Sequence, residues 1–246
     1  MKIALIGYGN MGQELEDLIK EQKHNAIVSI SYQNKNDVLD IKGIKKADVA
    51  IDFTSAELVL ETIEKVSSVG VPFVVGTTGW YDQLPIVEKI VKEKNTGLVY
   101  GKNFSLGANI FFQVVGFASK LLSSYGSYDV AGFEMHHKGK KDSPSGTAKK
   151  IASVIMENFP KKKKLETGRL DRQIKEDELH FASVRAGQYF GHHEVLFDSK
   201  ADEIKLVHTA HNRRGFAEGA LLAASYIHNK KGIFAFEELF AKGVIV

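Results

Sequence analysis

Two histidines, three lysines and a proline-bounded Ser-Gly-Thr turn fall within residues 134–147, EMHHKGKKDSPSGT. Imidazole has a reference pKa near neutrality, so His136 or His137 can exchange a proton at working pH. Lys140 adds a positive charge and a second proton source. Ser145, Gly146 and Thr147 open a run with helical spacing. The backbone N–H groups of a helix's first turn lack partners inside the helix and sit at the positive end of its dipole. Such a turn can hold a carboxylate. These residue types together suit gripping a small carboxylate substrate and supplying its proton.

Several other chemistries find no support. The chain has no cysteine, which excludes thiol nucleophiles, disulfides and cysteine-based metal centres. No G-x-S-x-G elbow supports a serine hydrolase. The pairs His136-His137, His192-His193 and His208/His211 match no recognised ligand spacing, so no metal is expected. Net charge is +3 without an aromatic-interleaved basic stripe, so a nucleic-acid partner is not expected either. Glycines interrupt the N-terminal MKIALIGYGN, which does not read as a signal peptide. No apolar run reaches the ~18 residues of a membrane span. A cytoplasmic protein without a membrane partner is the expectation.

The elements that position the central loop follow from periodicity. The apolar run at 128–133 reads as a buried strand entering the loop, and 147–159 as a helix leaving it. Upstream, Lys2–Ile6 is a strand-like run followed by GYGNMG and a helical pattern with Leu15, Leu18 and Ile19 on one face. In this G-x-G-x-x-G, Gly7 permits a tight turn, Gly9 close approach to a pyrophosphate, and Gly12 close packing of helix on strand. Tyr8, Asn10 and Met11 share the loop. A dinucleotide cofactor is therefore expected, NADPH or NADH. About 20 residues on, where an acid would bind the ribose, stands Tyr32. With no carboxylate before Asp37 and with Lys35 nearby, the pattern leans toward NADPH or use of both.

Alternation continues with strands at 48–53, 71–75 and 97–100 and helices at 55–69, capped by Ser55, and from Asp82 to about 94. Repeated βα units imply a parallel sheet whose ligands lie beyond the strand C-termini. That places residues 52–54, Gly76, Thr77, Thr78, Lys102, Asn103 and Phe104 along the cofactor crevice with the glycine loop. Residues 108–122 are apolar almost all round and read as a buried helix. The lysine run 161–164 reads as a solvated loop. Strands at 181–184, 194–197 and 203–208 lack intervening helices, which marks a change of architecture. Helices at 216–229 and 233–240 return to the first domain. The expected fold is α/β, a Rossmann-type parallel-sheet domain of residues 1–107 and 216–246. An inserted α+β domain of 108–215 would bind substrate. Glycine-bearing crossings near 105–107 and 214–215 suit a hinge.

EMHHKGKKDSPSGTA resembles the E-x-H-H-x-x-K-x-D-x-P-S-G-T-A signature of the 4-hydroxy-tetrahydrodipicolinate reductases of lysine and diaminopimelate synthesis. GYGNMG, AIDFT, GTTGW, KNFSLG, SVRAGQYFGHHEVLF and FAEGA are similar to further family blocks, in order. The resemblance implies reduction of a cyclic imine dicarboxylate at ring carbon 4 with loss of water, using NADH or NADPH. It implies that His136 is the acid/base and Lys140 the catalytic lysine. His137 and the turn of Ser145, Gly146 and Thr147 would hold substrate. The cofactor would lie on residues 7–12, 76–78 and Gly101 to Phe104, and the assembly would be a homotetramer built through the substrate-domain sheets. Gly139 stands where many members have a third histidine, and Tyr32 where many have an acid. Two other classes fit parts of the pattern: an amino-acid dehydrogenase of the aspartate type, and a non-catalytic sensor of NAD(P) redox state.

Overall fold

The computed structural model of the chain describes residues 1–23, 25–32 and 38–244. Lys35 and Asp37, invoked above for cofactor preference, lie outside the described residues. The chain divides into two compact units, Met1–Leu106 with Arg213–Val246, and Gly107–Asn212.

Unit 1 begins β1 (Lys2–Ile6), α1 (Asn10–Glu21), β2 (Ala26–Ser31), α2 (Ile41–Ile44), β3 (Val49–Asp52), α3 (Ala56–Ser68), β4 (Phe73–Val75), α4 (Leu84–Glu93) and β5 (Gly97–Tyr100). Successive strand residues point to opposite faces, and both faces are apolar. Ile3 and Leu5 of β1 pack with Leu15 and Ile19 of α1, whereas Ala4 and Ile6 join a second core with Val59 and Ile63 of α3. The helix expected from Asp82 opens with a 3-10 turn, Tyr81–Gln83, before α4. Ser55 occupies the N-cap position of α3, but its side chain accepts no capping hydrogen bond.

Unit 2 comprises α5 (Leu106–Ser123, its first residue still in unit 1), β6 (Asp129–His136), α6 (Gly146–Asn158), β7 (Lys164–Glu166), β8 (Glu178–Arg185), β9 (Gly191–Asp198) and β10 (Glu203–Ala210). The strands form one mixed sheet in the order β10-β9-β6-β8-β7, with β6 parallel to β8 and antiparallel to β9. Side chains of α5 and α6, among them Phe112, Val115, Ile151 and Ile155, form a core with Phe181 and Val195 of the sheet.

Three expectations are corrected here. α5 is not buried all round: Ile110, Val114, Phe117 and Leu121 are exposed and recur at helical spacing on one face. It is also long and apolar enough to cross a membrane by length and composition, with 39% of it buried in the protein. Its other face carries the core residues just named. The lysine run is not a solvated loop throughout. Lys162 is buried, its ammonium pairing with Asp129 at 2.6 Å and donating to the Glu178 carbonyl, while Lys164 opens β7.

The chain re-enters unit 1 with α7 (Arg214–Ile227), β11 (Gly232–Ala235) and α8 (Phe236–Ala241). The single helix expected at 233–240 is therefore a strand followed by a short helix. Ile233 and Phe234 pair with Leu98 and Val99 of β5, and this tertiary ladder outweighs the weak helical periodicity of so short a segment. β11 completes an all-parallel six-stranded sheet in the order β11-β5-β4-β3-β1-β2.

Candidate functional site

In unit 1 the β1–α1 turn requires its glycines. Gly7 has φ +93°, and a Cβ on it would meet the Phe53 carbonyl oxygen at 2.3 Å. A Cβ on Gly12 would lie 2.2 Å from the Gly7 oxygen. Gly9 is the N-cap of α1, and a side chain there would meet nothing within 4 Å, so backbone N–H groups stand open to a ligand. No acidic residue occupies the first turn of α1. A cleft of about 370 Å³ lies here, lined by residues 9–11, 53–56 and 76–78 together with Arg213. An open helix N-terminus without a competing acid fits a pyrophosphate.

Asp52 ends β3, but it is fully buried and does not line this cleft. It accepts 2.7 Å hydrogen bonds from the hydroxyls of Thr54 and Thr77, and Thr77 Oγ1 accepts from the Thr54 N–H. One carboxylate thus ties together two of the loops that form the cleft. Burial pushes the Asp52 carboxyl up to about 6, and the threonine hydrogen bonds offset that only in part.

The other cofactor candidates do not line this cleft. Tyr8 donates its hydroxyl to Glu16. Tyr32 is held at φ +59°, uncommon for a residue with a side chain. The N–H groups of Lys102 and Asn103 both donate to Glu237 Oε1, at 2.6 and 3.0 Å. Phe104 is 2% exposed and packs against Phe236 with tilted rings whose centroids are 4.6 Å apart; its side chain serves the core. Gly101 is buried, and a Cβ there would press on Phe104 at 3.0 Å.

In unit 2 the centre of the site is Glu134, which has no exposed surface. Residues two apart on a strand share a face, so Glu134 and His136 point the same way from β6. Register sets Ser183 of β8 and His193 of β9 beside Glu134, and Arg185 beside His136. Glu134 Oε1 accepts from the Ser145 N–H at 2.9 Å, the Ser183 hydroxyl at 2.8 Å and Arg185 Nη2 at 3.0 Å. Oε2 faces His136 Nδ1 at 3.2 Å and His193 Nε2 at 3.6 Å, and neither ring makes a well-aligned hydrogen bond to it. Burial alone would raise the Glu134 carboxyl, but the close approach of the His136 ring and hydrogen bonds from Ser145 and Ser183 outweigh it and hold it well below the usual range. His193 is pushed down to about 3 by burial and by the nearby His136, so it stays neutral.

These three donors, Glu134 Oε2, His136 Nδ1 and His193 Nε2, lie within 4.8 Å of one another. Such a set can hold a cation in principle. Here Arg185 already supplies the countercharge to the carboxylate.

Ser145 caps α6, its hydroxyl accepting from the Ala148 N–H at 3.1 Å. Gly146 follows, where a side chain would meet nothing within 4 Å, so the helix start is open. Lys140 lies in the β6–α6 connection, a quarter exposed, with Nζ 2.8 Å from Asp142. The His137 backbone is fixed by its N–H donating to the Tyr189 carbonyl at 2.7 Å and by its carbonyl accepting from Lys140.

The sequence reading gave no site role to Glu134, Ser183, Arg185 or, in the cleft, Arg213, and it weighed His193 only as a metal ligand. The two-residue spacing of Glu134 and His136 could have exposed the first. Ser183, Arg185 and His193 depend on strand register, which no local pattern reports.

One unit with a parallel sheet and an open glycine-loop helix start, and another with a buried Glu134–His136–His193 cluster, are the parts of a two-unit pyridine-nucleotide oxidoreductase. The family description "Dihydrodipicolinate reductase, N-terminus" matches residues 1–104, and "Dihydrodipicolinate reductase, C-terminus" matches residues 107–240. The chain belongs to the dihydrodipicolinate reductase family. It is 36% identical over 241 residues to a 4-hydroxy-tetrahydrodipicolinate reductase of Christiangramia forsetii, covering 98% of each chain. It is 39% identical over 193 residues to one of Methanocaldococcus jannaschii, covering 77% of this chain and 69% of that protein. Among solved structures it resembles a dipicolinate-bound dihydrodipicolinate reductase from Paenisporosarcina sp. TG-14. The TM-score is 0.78 at 23% identity, over 97% and 99% of the two chains. An engineered D-amino acid dehydrogenase bound to NADP+ shares the fold at TM-score 0.54 and 15% identity, over 97% and 93%.

Proposed function

We propose that this chain reduces 4-hydroxy-tetrahydrodipicolinate to tetrahydrodipicolinate with loss of water, drawing on NADH or NADPH, in lysine and diaminopimelate synthesis. When bound, the nicotinamide would supply the hydride that ring carbon 4 receives. The residues of unit 1 bind it: the α1 start at Gly9, Asn10 and Met11 faces the pyrophosphate, and Gly76, Thr77 and Thr78 flank the same cleft. In unit 2 the start of α6 at Gly146 and Thr147 receives a substrate carboxylate, with His137 and Lys140 adding polar and cationic grip. Hydride addition builds negative charge on the conjugated ring, and His136 or Lys140 supplies the proton that quenches it.

The observation that carries this reading is the shared carboxylate. Glu134 contacts both His136 and the Ser145 N–H, so the proton donor and the anion-binding helix start are held by one group. A redox sensor would need neither. The assembly is a homotetramer, supported by the sheet face away from α5 and α6. Phe133, Met135, Val184, Leu196 and Val207 share that face by register, and Val184 and Val207 are exposed. The cytoplasm, where pyridine nucleotides feed biosynthesis, suits this reaction.

The test is a coupled assay in which dihydrodipicolinate synthase generates the unstable substrate while NADH and NADPH oxidation are followed separately. Turnover with either cofactor is expected; none with both refutes the activity. Lys140→Ala should lose about 10²–10⁴ in kcat, the usual worth of a proton-transfer group, and keep its cofactor Kd. Equal turnover would remove Lys140 from the chemistry.

A further inference from the structure

Several polar groups surround His136 among the described residues. Glu134 is on its own strand, Arg185 on β8, His193 on β9 with His208 behind it on β10, and Lys140 and Asp142 are on the following loop. Of these, Glu134 alone puts an acceptor within hydrogen-bonding reach of a ring nitrogen, its Oε2 being 3.2 Å from Nδ1. The two carboxylate oxygens are not equivalent. Oε1 is taken up by three donors from three segments, Ser145, Ser183 and Arg185. That anchoring leaves Oε2 without an aligned donor, facing His136 Nδ1 at 3.2 Å. On the Nε2 side of the ring lies Gly191, where an added Cβ would come within 3.2 Å of Nε2. A side chain there would cover the nitrogen; glycine leaves it accessible.

We propose that Glu134 is the positioning residue of His136. It holds the ring proton on Nδ1, so that Nε2 exchanges the proton with substrate. Through the Ser145 N–H it fixes that ring relative to the start of α6. The inference rests on the acid/base reading of His136 given above. The bent Glu134–His136 contact straightens once the ring is charged, because a charge-assisted hydrogen bond is shorter and stronger than a neutral one. Proton-transfer contacts of this kind are commonly long in the absence of substrate and tighten in its complex. An amide in place of Glu134 would present either a donor to Nδ1 or an uncharged acceptor.

The experiment compares pH profiles of kcat for the wild type, Glu134→Gln and His136→Asn. Cofactor Kd and circular dichroism are recorded for each. Loss of an adjacent opposite charge should move the limb on which activity falls with rising pH downward by about 1–2 pH units in Glu134→Gln. Its kcat should drop at neutral pH while cofactor Kd stays unchanged. In His136→Asn the limb should vanish. An unmoved limb in Glu134→Gln, with His136→Asn impaired, overturns the positioning role alone. His136→Asn at the wild-type rate overturns the acid/base reading and this inference with it. If Glu134→Gln does not fold, ¹⁵N imidazole spectra of the wild-type protein decide the question directly. His136 in its neutral form should carry the proton on Nδ1, and an Nε2–H tautomer overturns the proposal.

Discussion

Asp52 of unit 1 and Glu134 of unit 2 are both carboxylates on inner strands, and neither has exposed surface. Asp52 is pushed up to about 6, whereas Glu134 is held below the ordinary range. Desolvation acts on both in the same direction, so the difference lies in the donors. Asp52 meets the hydroxyls of Thr54 and Thr77, neutral dipoles that repay little of the cost of burying a charge. Glu134 meets a guanidinium, a backbone N–H, a hydroxyl and an imidazole. Charged donors strengthen as the surroundings dry, and they keep the carboxylate ionised. An acid that changes charge near neutrality can tie loops together but makes an unsteady electrostatic partner. A permanently ionised acid can oppose an imidazolium throughout the working pH range.

The largest effect should come from removing the ionised acid. Glu134→Ala leaves Arg185 and the Ser145 N–H without their carboxylate, and breaking such a buried pair costs about 3–5 kcal/mol. Urea unfolding at pH 7 measures it, and a loss below that of an ordinary surface change would mean that water replaces the carboxylate.

Asp52→Asn should act in the opposite sense. A folded-state pKa raised from 3.8 to about 6 means that the group favours folding fully below the unfolded value and loses that contribution as pH rises through about 6. At pH 7 the asparagine variant should therefore be the more stable, by about 1–3 kcal/mol, and the gain should fade by pH 4. A variant less stable than wild type at pH 7 would show that Asp52 is ionised at little cost, and the contrast between the two acids would collapse.

Ser183→Ala and Thr77→Val sharpen the comparison at smaller scale, each expected to cost about 1 kcal/mol for a deleted hydrogen bond. Thr77→Val should also weaken cofactor binding, because Thr77 accepts from the Thr54 N–H and borders the cleft. Ser183→Ala should leave cofactor Kd unchanged, because Arg185 and the Ser145 N–H still anchor Glu134.

Much of this arrangement is legible in the chain itself. The glycine spacing after β1, the apolar period of α1 and the cap at Ser145 are local patterns, set by backbone sterics and by hydrogen bonds between near neighbours. The EMHHKGKKDSPSGT run likewise discloses its imidazoles, its cation and its helix start without any knowledge of the fold. Periodicity was least informative where tertiary contacts dominate. Ile233 and Phe234 join a strand because β5 offers them an edge, and Lys162 is buried because Asp129 and the Glu178 carbonyl await it.

What the residues disclosed unaided was the inventory: a glycine-rich loop, a pair of imidazoles and a lysine-bearing turn, each written within a dozen or so consecutive positions. What required the folded chain was the electrical setting of that inventory. Ser183, Arg185 and His193 stand about fifty to sixty positions from Glu134. They converge on it only because β6 pairs in register with β8 on one side and β9 on the other. The state of a buried acid depends on donors brought from afar and on the water that packing removes, and neither quantity is a property of nearby sequence.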